Sequence, residues 1–410
     1  MLSCGHDGEM KITLADIEAA RERISGVANR TPIEYSVTAS KRIGVEAYFK
    51  FENLQRTGSF KIRGALNKIS TLTDSEKKRG VIAASAGNHA QGVALSATLL
   101  QVSSTIVMPK NSSIIKQEAT RNYGAQVVLH GDFYDEAYRH AREIEKKTGA
   151  VFIHAFEDPH IMAGQGTIGL EILEDLPDLD SVVVAIGGGG MISGIASAIK
   201  AKRPTVKVFG AVAANAPAMA EMFRGQTPVA RSTCMSIADG IAVKTPSETM
   251  FKNFVKPLVD DIVTISEDDI AESVVFLLER CKSVAEGSGA ITLAAAKQLG
   301  ERLGKKTCIV VSGGNIDLTL MEEILDRGLT RNGRRTKISV VVDDRPGSLL
   351  KLTKIVSQSG ANIIQVEHDR VDPALQIRET RISFILETKN RDHIEEIRAA
   401  LRLEGVRILL

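Results

Sequence analysis

Short apolar runs alternate with amphipathic stretches from Thr13 to about residue 330. The strand-like runs are EAYFKFE, GVIAASA, SSTIVMP, AQVVLH, SVVVAI, VKVFGAV and TCIVVSG. Most of them are apolar at successive positions rather than at every second one, as expected when helices cover both faces of a sheet. Strands that alternate with helices in this way predict an α/β fold with a mainly parallel sheet.

The intervening stretches carry helix start and stop signals. TLADIEAARERI begins with Thr13 as a candidate N-cap and has Asp16 in its first turn. IIKQEATRNYG is a second helical stretch, and FYDEAYRHAREIEKKTG is a third that ends at Gly149. These signals predict amphipathic helices between the strands.

The pattern changes near residue 330. RGLTRNGRRTK is basic and lacks apolar periodicity, so we interpret residues 331–336 as a solvated linker between a domain at 1–330 and one at 337–410. Beyond it come KISVVVD, RPGSLLKLTKIVSQSG, ANIIQVEHD, RETRISFILET, RDHIEEIRAALRLEG and VRILL. The order strand, helix, strand, strand, helix, strand predicts a ferredoxin-like βαββαβ unit.

Composition excludes several classes of protein. The chain has 410 residues, 43% of them hydrophobic, and a net charge of +2, so neither nucleic acid nor a membrane is expected as a partner. The eight histidines show no zinc-binding spacing. MLSCGHDGEM lacks the apolar core of a secretory signal, and no apolar run approaches the ~20 residues of a membrane span. We expect a cytoplasmic protein.

Cysteine usage gives the same expectation. Cys4, Cys234, Cys281 and Cys308 are scattered and form no CxxC pair. Cys308 lies in the apolar run CIVV, where a buried thiol is expected. The pattern indicates a reducing compartment and no disulfide framework.

Four consecutive glycines, Gly187–Gly190, follow the strand SVVVAI and precede a helix that begins near Met191. Their backbone N–H groups and the helix N-terminus favour phosphate binding, although a flexible turn is the alternative. The dinucleotide fingerprint is missing, since the next strand, VKVFGAVAAN, ends without an acid. No Gly-Lys-Ser/Thr triplet follows a glycine loop either. A cofactor with one phosphate fits better than NAD or ATP.

Three further segments carry candidate site residues. SAGNHAQG begins at Ser85, where it either receives a substrate carboxylate or only caps a helix. VVSGGNID places Ser312 at the end of another apolar strand. RTGSFKIRGA places Lys61 between Phe60 and Ile62, after a turn. A Schiff-base lysine, a phosphate loop, a carboxylate-binding turn and a serine at a third strand end together describe a pyridoxal phosphate enzyme.

On these motifs residues 11–330 resemble the tryptophan-synthase-β-like, fold type II family of pyridoxal phosphate enzymes, and within it the threonine/serine dehydratases. The matching motifs are SFKIRGA, SAGNHAQGVA, AGQGTIGLEI, GGGGMISG, IADGIAV and CIVVSGGNID. The resemblance implies two open, mainly parallel α/β subdomains in a catalytic domain at 1–330. The smaller subdomain, at about 53–150, is inserted in the larger one.

The resemblance also implies roles for individual residues. Lys61 carries the cofactor as a Schiff base and Phe60 packs against its ring. Asn88 hydrogen-bonds the 3′-oxygen, Gly240 lies against the ring and Ser312 faces the pyridine nitrogen. The phosphate is held by the backbone of Gly187, Gly188, Gly189, Gly190 and Met191. The substrate carboxylate is bound by Ser85, Ala86, Gly87, Asn88 and His89.

These residue types suit β-elimination. A buried lysine has a lowered pKa, so its amine is able to remove the α-proton of the substrate while pyridoxal phosphate accepts electrons. A neutral Ser312 at the ring nitrogen makes a weaker electron sink than an aspartate and favours prompt loss of the β-hydroxyl. The products are a 2-oxo acid and ammonia.

Two positions depart from the serine racemases of the family. Those enzymes carry a serine as second base where this chain has Ala86, so racemisation is expected to be weak or absent. They also bind a divalent cation through two acids in the segment after the strand VKVFGAV, where this chain offers Val212 and Ala218. We therefore expect no metal site. Glu286 is a weak candidate that either contacts the cofactor or caps a helix.

Residues 337–410, with DDRPGSL after the first strand, resemble an ACT domain, a regulatory module that binds amino acids. Asp343 and Asp344 either bind an effector's amino group or are ordinary acids at a helix start. ACT modules generally pair between subunits, so the resemblance implies a homo-oligomer, a tetramer. The identity of the effector stays open, and so does the choice between a catabolic role and a biosynthetic one that feeds isoleucine.

The sequence thus predicts an enzyme that converts L-threonine to 2-oxobutanoate and ammonia, and L-serine to pyruvate, under control of an amino-acid effector. The first alternative is another fold type II β-elimination or β-replacement enzyme, such as a serine racemase or a threonine synthase-like protein. A non-catalytic amino-acid sensor is the second alternative, although it would have no need of Lys61. A nicotinamide oxidoreductase is the third, and it lacks the acid that such an enzyme requires.

Overall fold

The computed structural model describes residues 10–229, 231, 234–371 and 373–409. Cys4 and nearly all of MLSCGHDGEM lie outside the described residues, so the expectations for them stay untested. The strands are β1 Ile33–Tyr35, β2 Glu46–Phe51, β3 Val81–Ala84, β4 Ser104–Met108, β5 Gln126–Leu129, β6 Val151–Phe152, β7 Ser181–Ala185, β8 Lys207–Ala213, β9 Asp261–Ile265, β10 Lys306–Val311, β11 Arg335–Asp343, β12 Asn362–Asp369, β13 Glu379–Glu387 and β14 Arg407–Leu409. All seven strand-like runs of the first domain form strands, and β1, β6 and β9 are additional to them.

The helices begin and end close to the predicted signals. They are α1 Leu14–Ile24, α2 Val37–Ile43, α3 Lys61–Ser70, α4 Asp74–Arg79, α5 Asn88–Leu99, α6 Ile114–Asn122, α7 Tyr134–Thr148, α8 Pro159–Asp175, α9 Gly190–Lys202, α10 Ala218–Phe223, α11 Glu248–Met250, α12 Lys256–Leu258, α13 Glu267–Cys281, α14 Gly287–Leu299, α15 Leu318–Arg331, α16 Ser348–Gln358 and α17 Arg391–Leu403. Thr13 and Asp16 form a reciprocal capping box on α1. Gly149 ends α7 in the left-handed conformation, as its position predicts.

The first compact unit, residues 1–317, contains two sheets. The larger has the order β1-β2-β10-β7-β8-β9 and is parallel except for the antiparallel edge strand β1. The smaller has the order β5-β4-β3-β6 and is entirely parallel. The prediction of two mainly parallel α/β subdomains is confirmed.

Buried apolar strands and small-residue helices hold this unit together. Strand β7 is buried at each of its five positions, as the unbroken apolar run predicts. Helix α8 packs closely on α3 and α9 because glycines lie at the crossings. A Cβ on Gly164 would lie 2.6 Å from the Cα of Gly64, and one on Gly194 would lie 2.3 Å from the carbonyl oxygen of Met162. The start of α3 therefore has little freedom to shift.

The second compact unit, residues 318–410, has a four-stranded antiparallel sheet in the order β12-β13-β11-β14. Its core includes Ile338, Leu352, Phe384 and Ile397, from two strands and two helices. The predicted βαββαβ order is confirmed. The unit begins earlier than expected, because residues 318–331 form α15 and group with it, and only residues 332–334 separate α15 from β11. Within the segment 331–336 that we interpreted as a linker, Arg331 ends α15 and residues 335 and 336 begin β11. The assignment of catalytic and regulatory roles to these domains stays a prediction.

Cys308 is buried, and in the described part of the chain Cys234, Cys281 and Cys308 are free thiols. Within the same residues, none of the helices has both the length and the apolar character needed to cross a membrane.

Candidate active site

Lys61 lies at the first position of α3, directly after a turn, and its side chain is partly buried. Its Nζ donates a hydrogen bond to the carbonyl oxygen of Ala155 at 3.0 Å and lies 5.1 Å from the centre of the Phe60 ring. Loss of hydration lowers the pKa of Lys61 to about 8, a fall that the negative charge of Glu286 partly opposes. An amine with this pKa is partly neutral near pH 7 and is able to act as a nucleophile or a base.

The turn before Lys61 is conformationally unusual. Thr57 has φ +64° and ψ +10°, a left-handed conformation that β-branched residues rarely adopt. Gly58 follows with φ +69°, and a Cβ on it would lie 2.4 Å from Oδ1 of Asn315. The backbone N–H of Phe60 donates to the carbonyl oxygen of Ser312 at 3.2 Å. The end of β10 therefore fixes the turn that presents Lys61.

The glycine loop lies between β7 and α9. Gly189 is the N-cap of α9 with φ +95°, so the helix begins one residue before the expected Met191. Within the described residues, no hydrogen bond uses the backbone N–H of Gly187, Gly188 or Gly189. These groups and the first N–H groups of α9 are available to an anion.

One segment of the site, residues 154–157, was missed in the sequence. The ring of Phe156 occupies the space beside the loop, since a Cβ on Gly188 would lie 2.3 Å from it. Its neighbour Ala155 accepts the hydrogen bond from Lys61. His154 holds the segment, because its Nδ1 accepts from the N–H groups of Phe156 and Glu157 at 3.3 and 2.8 Å. This segment connects the lysine with the phosphate loop, and no strand or glycine motif marks it.

Asn88, at the start of α5, connects two other segments. Its Nδ2 donates to Oε1 of Glu286 at 2.7 Å, and its Oδ1 accepts from Nδ2 of Asn315 at 2.7 Å. Glu286 is buried, which together with the nearby charge of Asp239 raises its pKa to about 8. Glu286 is thus part of the site, whereas the sequence made it only a weak candidate. It is also the N-cap residue of α14, but its side chain makes no capping hydrogen bond.

The remaining residues of the 85–89 turn surround the start of α5. His89 is buried, its Nε2 lies 2.9 Å from the carbonyl oxygen of Ile153, and burial with the nearby positive charge of Lys61 lowers its pKa to about 3. It is therefore neutral at physiological pH and donates this hydrogen bond. The hydroxyl of Ser85 accepts from the N–H of Gly87 at 3.2 Å. Ala86 has no group that could take a proton.

Ser312 and Gly240 lie on either side of Ser288. The Ser312 hydroxyl donates to the carbonyl oxygen of Ser288 at 3.2 Å, and a Cβ on Gly240 would lie 2.8 Å from Oγ of Ser288. Oγ of Ser288 is buried without a partner. Next to Gly240, Asp239 pairs with Lys116 of α6 at 3.2 Å. Three chain segments therefore meet around Ser288.

Two residues beyond Lys61, Arg63 is almost completely buried in a cluster of matched charges. Its guanidinium donates to both carboxylate oxygens of Glu52 at 2.8 Å and to Glu171 at 2.6 and 3.0 Å. Lys50 also pairs with Glu171, at 2.5 Å. The two acids raise the pKa of Arg63 beyond its ordinary range, although burial opposes the change. The cluster holds the first turn of α3 and leaves no charge uncompensated.

Two expectations about other ligands, the lack of a metal site and the effector contacts of Asp343 and Asp344, stay predictions. Among the described residues no group of three or more histidines, cysteines and acids has the arrangement of a metal site. Val212 lies one residue before the end of β8 and Ala218 is the first residue of α10, and neither side chain is able to bind a cation. In the second unit, Oδ2 of Asp344 accepts from Arg370 at 2.9 Å, while Asp343 lies 3.4 Å from Arg345. Both acids therefore have protein partners.

The site has the groups that pyridoxal phosphate requires. Lys61 provides a partly neutral amine for the aldehyde, and the glycine loop provides backbone N–H groups without partners for the phosphate. Asn88 provides a side-chain N–H group, and Ser288 a buried hydroxyl without a partner. A free buried hydroxyl is costly unless something bonds to it, so the residues fit a polar ring compound with one phosphate.

Comparison with known proteins agrees with this fit. The pyridoxal-phosphate dependent enzyme family matches residues 24–313, and the ACT domain matches residues 336–402. An L-threonine ammonia-lyase of Thermotoga maritima is 49% identical over 97% of this chain and 99% of its own. Maize serine racemase has a TM-score of 0.73 and 33% identity over 78% of this chain and 99% of its own. Threonine deaminase isoform 2 of Solanum lycopersicum, in its processed form, has a TM-score of 0.72 and 36% identity over 77% of this chain and 90% of its own.

Proposed function

The chain belongs to the family of pyridoxal-phosphate dependent enzymes, and on that premise we propose that it is an L-threonine ammonia-lyase that also acts on L-serine. Its reactions convert L-threonine to 2-oxobutanoate and ammonia, and L-serine to pyruvate and ammonia. The observation that carries the proposal is Lys61, a partly buried amine that has no carboxylate partner among the described residues. It bonds to Ala155, whose neighbour Phe156 packs on a glycine loop with free N–H groups.

Lys61 both holds the cofactor and moves the proton. With a pKa of about 8, roughly a tenth of the amines are neutral at pH 7, far more than for a hydrated lysine. When bound, pyridoxal phosphate supplies the electron sink that stabilises negative charge at the α-carbon of the substrate. The freed amine of Lys61 removes the α-proton. The β-hydroxyl then leaves with one proton as water, so that the α-proton and the hydroxyl are lost together overall. Hydrolysis of the released enamine consumes a water molecule and gives the 2-oxo acid and ammonia.

The other site residues bind the cofactor and the substrate and orient them. When pyridoxal phosphate is bound, the backbone of Gly187, Gly188, Gly189, Gly190 and Met191 would hold its phosphate, Phe60 and Gly240 would contact its ring, and Ser312 and Asn88 would bind its nitrogen and its 3′-oxygen. The 85–89 turn, at the N-terminus of α5, binds the substrate carboxylate, with the N–H groups of Ala86, Asn88 and His89 as donors, since those of Ser85 and Gly87 are bonded within the protein. A neutral Ser312 at the ring nitrogen favours elimination over reactions that need a long-lived carbanion.

Serine racemisation is the second candidate function, because maize serine racemase is similar over most of the catalytic unit. A racemase needs a proton donor on each face of the α-carbon. This chain has Lys61 for one face and Ala86 at the position where the second base is expected, and an alanine methyl is unable to donate a proton. Elimination is therefore the better-supported reaction.

We also propose how the protein is regulated, how its chains assemble and where in the cell it is located. The ACT domain binds an amino-acid effector, and Asp343 or Asp344 contacts its amino group. The catalytic residues lie in 1–330 and the regulatory ones in 337–410. The chain assembles as a homotetramer in the cytoplasm, and it uses no metal ion at Val212 or Ala218.

The test is the stoichiometry of the products. The purified protein, loaded with pyridoxal phosphate, is given L-threonine or L-serine, and ammonia and 2-oxo acid are measured together. We expect equal amounts of both products from each amino acid, and little conversion of L-serine to D-serine. A protein that binds amino acids but releases no ammonia would instead support a sensor. Repeating the assay with branched-chain amino acids tests the effector site.

A further inference from the structure

Four segments that are distant in the sequence meet in a chain of side-chain amides. Nδ2 of Asn315 donates to the carbonyl oxygen of Thr57 at 2.5 Å and also to Oδ1 of Asn88 at 2.7 Å. Nδ2 of Asn88 donates to Oε1 of Glu286 at 2.7 Å. The chain thus runs from the turn before Lys61, through the end of β10 and the start of α5, to the residue before α14.

The direction of every hydrogen bond in this chain follows from its first member. A backbone carbonyl is able only to accept, so the atom of Asn315 that faces Thr57 must be the amide nitrogen. That nitrogen also faces Asn88, so the facing atom of Asn88 must be its oxygen. The nitrogen of Asn88 is then left to face Glu286. One backbone carbonyl therefore decides which end of the Asn88 amide points into the site.

The carbonyl itself is fixed by steric constraint. Thr57 and Gly58 both have left-handed backbones, and the side chain of Asn315 fills the space where a Cβ on Gly58 would lie. Gly314 donates its N–H to the carbonyl oxygen of Gly58 at 2.9 Å, which ties the two segments together next to the contact. A β-branched residue in this conformation is strained and persists only when its neighbours determine it. Asn315 is one of these neighbours, because it contacts Gly58 and bonds to the carbonyl oxygen of Thr57.

We propose that Asn315 is the positioning residue that turns the Asn88 amide so that its N–H groups face the cofactor. The inference rests on the proposed function, in which Asn88 binds the 3′-oxygen of pyridoxal phosphate. One N–H of Asn88 is used by Glu286, and the second is left for that oxygen. Without Asn315, the Asn88 amide is oriented by Glu286 alone. The raised pKa of Glu286 favours its protonated carboxyl, which is able to donate to the amide oxygen as well as to accept from the amide nitrogen, so the orientation that binds the cofactor is no longer enforced.

The experiment is a double-mutant cycle on Asn315 and Asn88, read by the visible spectrum and by the affinity of bound pyridoxal phosphate. We expect Asn315→Ala to lower that affinity about 5- to 10-fold and to shift the spectrum in the same direction as Asn88→Ala. Asn315→Asp keeps the volume but loses the donor, so it should shift the spectrum further. In the Asn88→Ala background neither change at Asn315 should move the spectrum, because its effect is exerted through Asn88.

Asn53→Ala is the matched control. Asn53 is a buried asparagine whose Nδ2 also bridges two groups, Oγ of Ser283 at 2.6 Å and the carbonyl oxygen of Val284 at 2.8 Å, without contacting Asn88. Its loss should destabilise the protein without moving the spectrum. Equal spectral shifts from Asn315→Ala with and without Asn88 would overturn the proposal, and so would no shift at all.

A readout on the protein without cofactor separates this inference from the proposed function. The free energy of unfolding is measured for the same cycle in the absence of pyridoxal phosphate, where the hydrogen bond between Asn315 and Asn88 should give a favourable coupling. Absence of coupling would overturn the inference even if the wild-type protein bound the cofactor. A wild-type protein that binds no pyridoxal phosphate would instead overturn the proposed function, and the coupling would still decide the orientation of Asn88.

Discussion

Two lysines of the first compact unit are removed from bulk water in different ways. Lys50 is fully buried, and its Nζ donates to the carboxylate of Glu171 at 2.5 Å and to the carbonyl oxygen of Thr31 at 2.7 Å. Lys61 is partly buried and donates only to the carbonyl oxygen of Ala155, with no carboxylate within 4 Å among the described residues. One ammonium has a partner that balances its charge, and the other does not.

This difference gives the two lysines different roles, a structural one for Lys50 and a chemical one for Lys61. Around Lys50, two cations and two acids cancel, so the cluster fixes the first turn of α3 without any group poised to change its charge. At Lys61, burial without a matched partner lowers the pKa to about 8. Strongly shifted pKa values in a cleft are typical of functional sites. The charge cluster around Arg63 thus holds the first turn of α3 in place, and this fixes Lys61, at the start of the same helix, in the candidate active site.

The largest effect should come from Lys61→Ala. We expect ammonia release from L-threonine to fall at least ~10³-fold, because no other group in the site supplies the amine. Lys68→Ala is the matched control on the same helix, where Lys68 pairs with Asp158 at 2.7 Å. That variant should keep nearly full activity. Residual turnover near the wild-type level in Lys61→Ala would show that another residue does the work.

Arg63→Met tests the structural role of the charge cluster that contains Lys50. Removing the guanidinium leaves two buried carboxylates with only Lys50, so we expect a loss of about 3–5 kcal/mol in the free energy of unfolding of the cofactor-free protein. Arg21→Met breaks an exposed pair with Glu174 and should cost about 0–1 kcal/mol. Urea unfolding measures both variants. Similar losses in the two would mean that the buried cluster has no special structural role.

The stability of the cofactor-free protein should depend on pH through Glu286 and Lys61. Glu286 has a pKa of about 8 when folded and an ordinary value of 4.5, so the folded state binds more protons between these values and stability falls as pH rises from 4.5 to 8. Lys61 has a pKa of about 8 when folded and 10.5 ordinarily, so the unfolded state binds more protons between 8 and 10.5. Its contribution therefore rises with pH across that window.

Two variants separate these contributions. Glu286→Gln should flatten the fall between pH 5 and 8, and Lys61→Met should flatten the rise above pH 8, each by about 3 kcal/mol over its window. Unfolding by urea at pH 6, 8 and 10 is sufficient to see both. A rise of unchanged slope in Lys61→Met would mean that the amine is not desolvated as the structure has it.

Much of the fold and part of the candidate active site could be predicted from the sequence. Apolar runs gave the strands of the parallel sheets, and capping residues such as Thr13 and Gly149 gave helix ends, because both signals are local. Lys61 and the glycine loop could be found since each lies in a distinctive motif. Edge strand β1 and the two-residue β6 are too short to show a pattern.

The features that could not be predicted depend on contacts between segments that are distant in the sequence. Glu286 and Asn315 join Asn88 across about 200 residues, and no local pattern shows that three separate loops meet. The contribution of residues 154–157 follows from the packing of Phe156 on the glycines, which is visible only in the structure. The basic composition around Arg331 suggested a linker, although α15 extends to that residue because tertiary packing stabilises the helix.

The smallest effect on basal turnover is expected from removal of the second unit. A chain that ends at Asp317 keeps both parallel sheets and every candidate active-site residue, so its turnover of L-threonine should stay within about threefold of the full chain. The response to amino-acid effectors should disappear, since the ACT domain lies at residues 336–402. Effector response that survives the truncation would place the effector site in the first unit.

The most direct test of the contrast between the two lysines is chemical. The protein loaded with pyridoxal phosphate is reduced with borohydride, which makes a lysine–cofactor bond permanent, and the modified peptide is located by mass spectrometry. We expect the label on Lys61 and none on Lys50, because Lys61 has a partly neutral amine bonded to Ala155, next to the residue that packs on the glycine loop, whereas Lys50 is paired with Glu171. A label on Lys50 or on another lysine, or no label at all, would contradict the account.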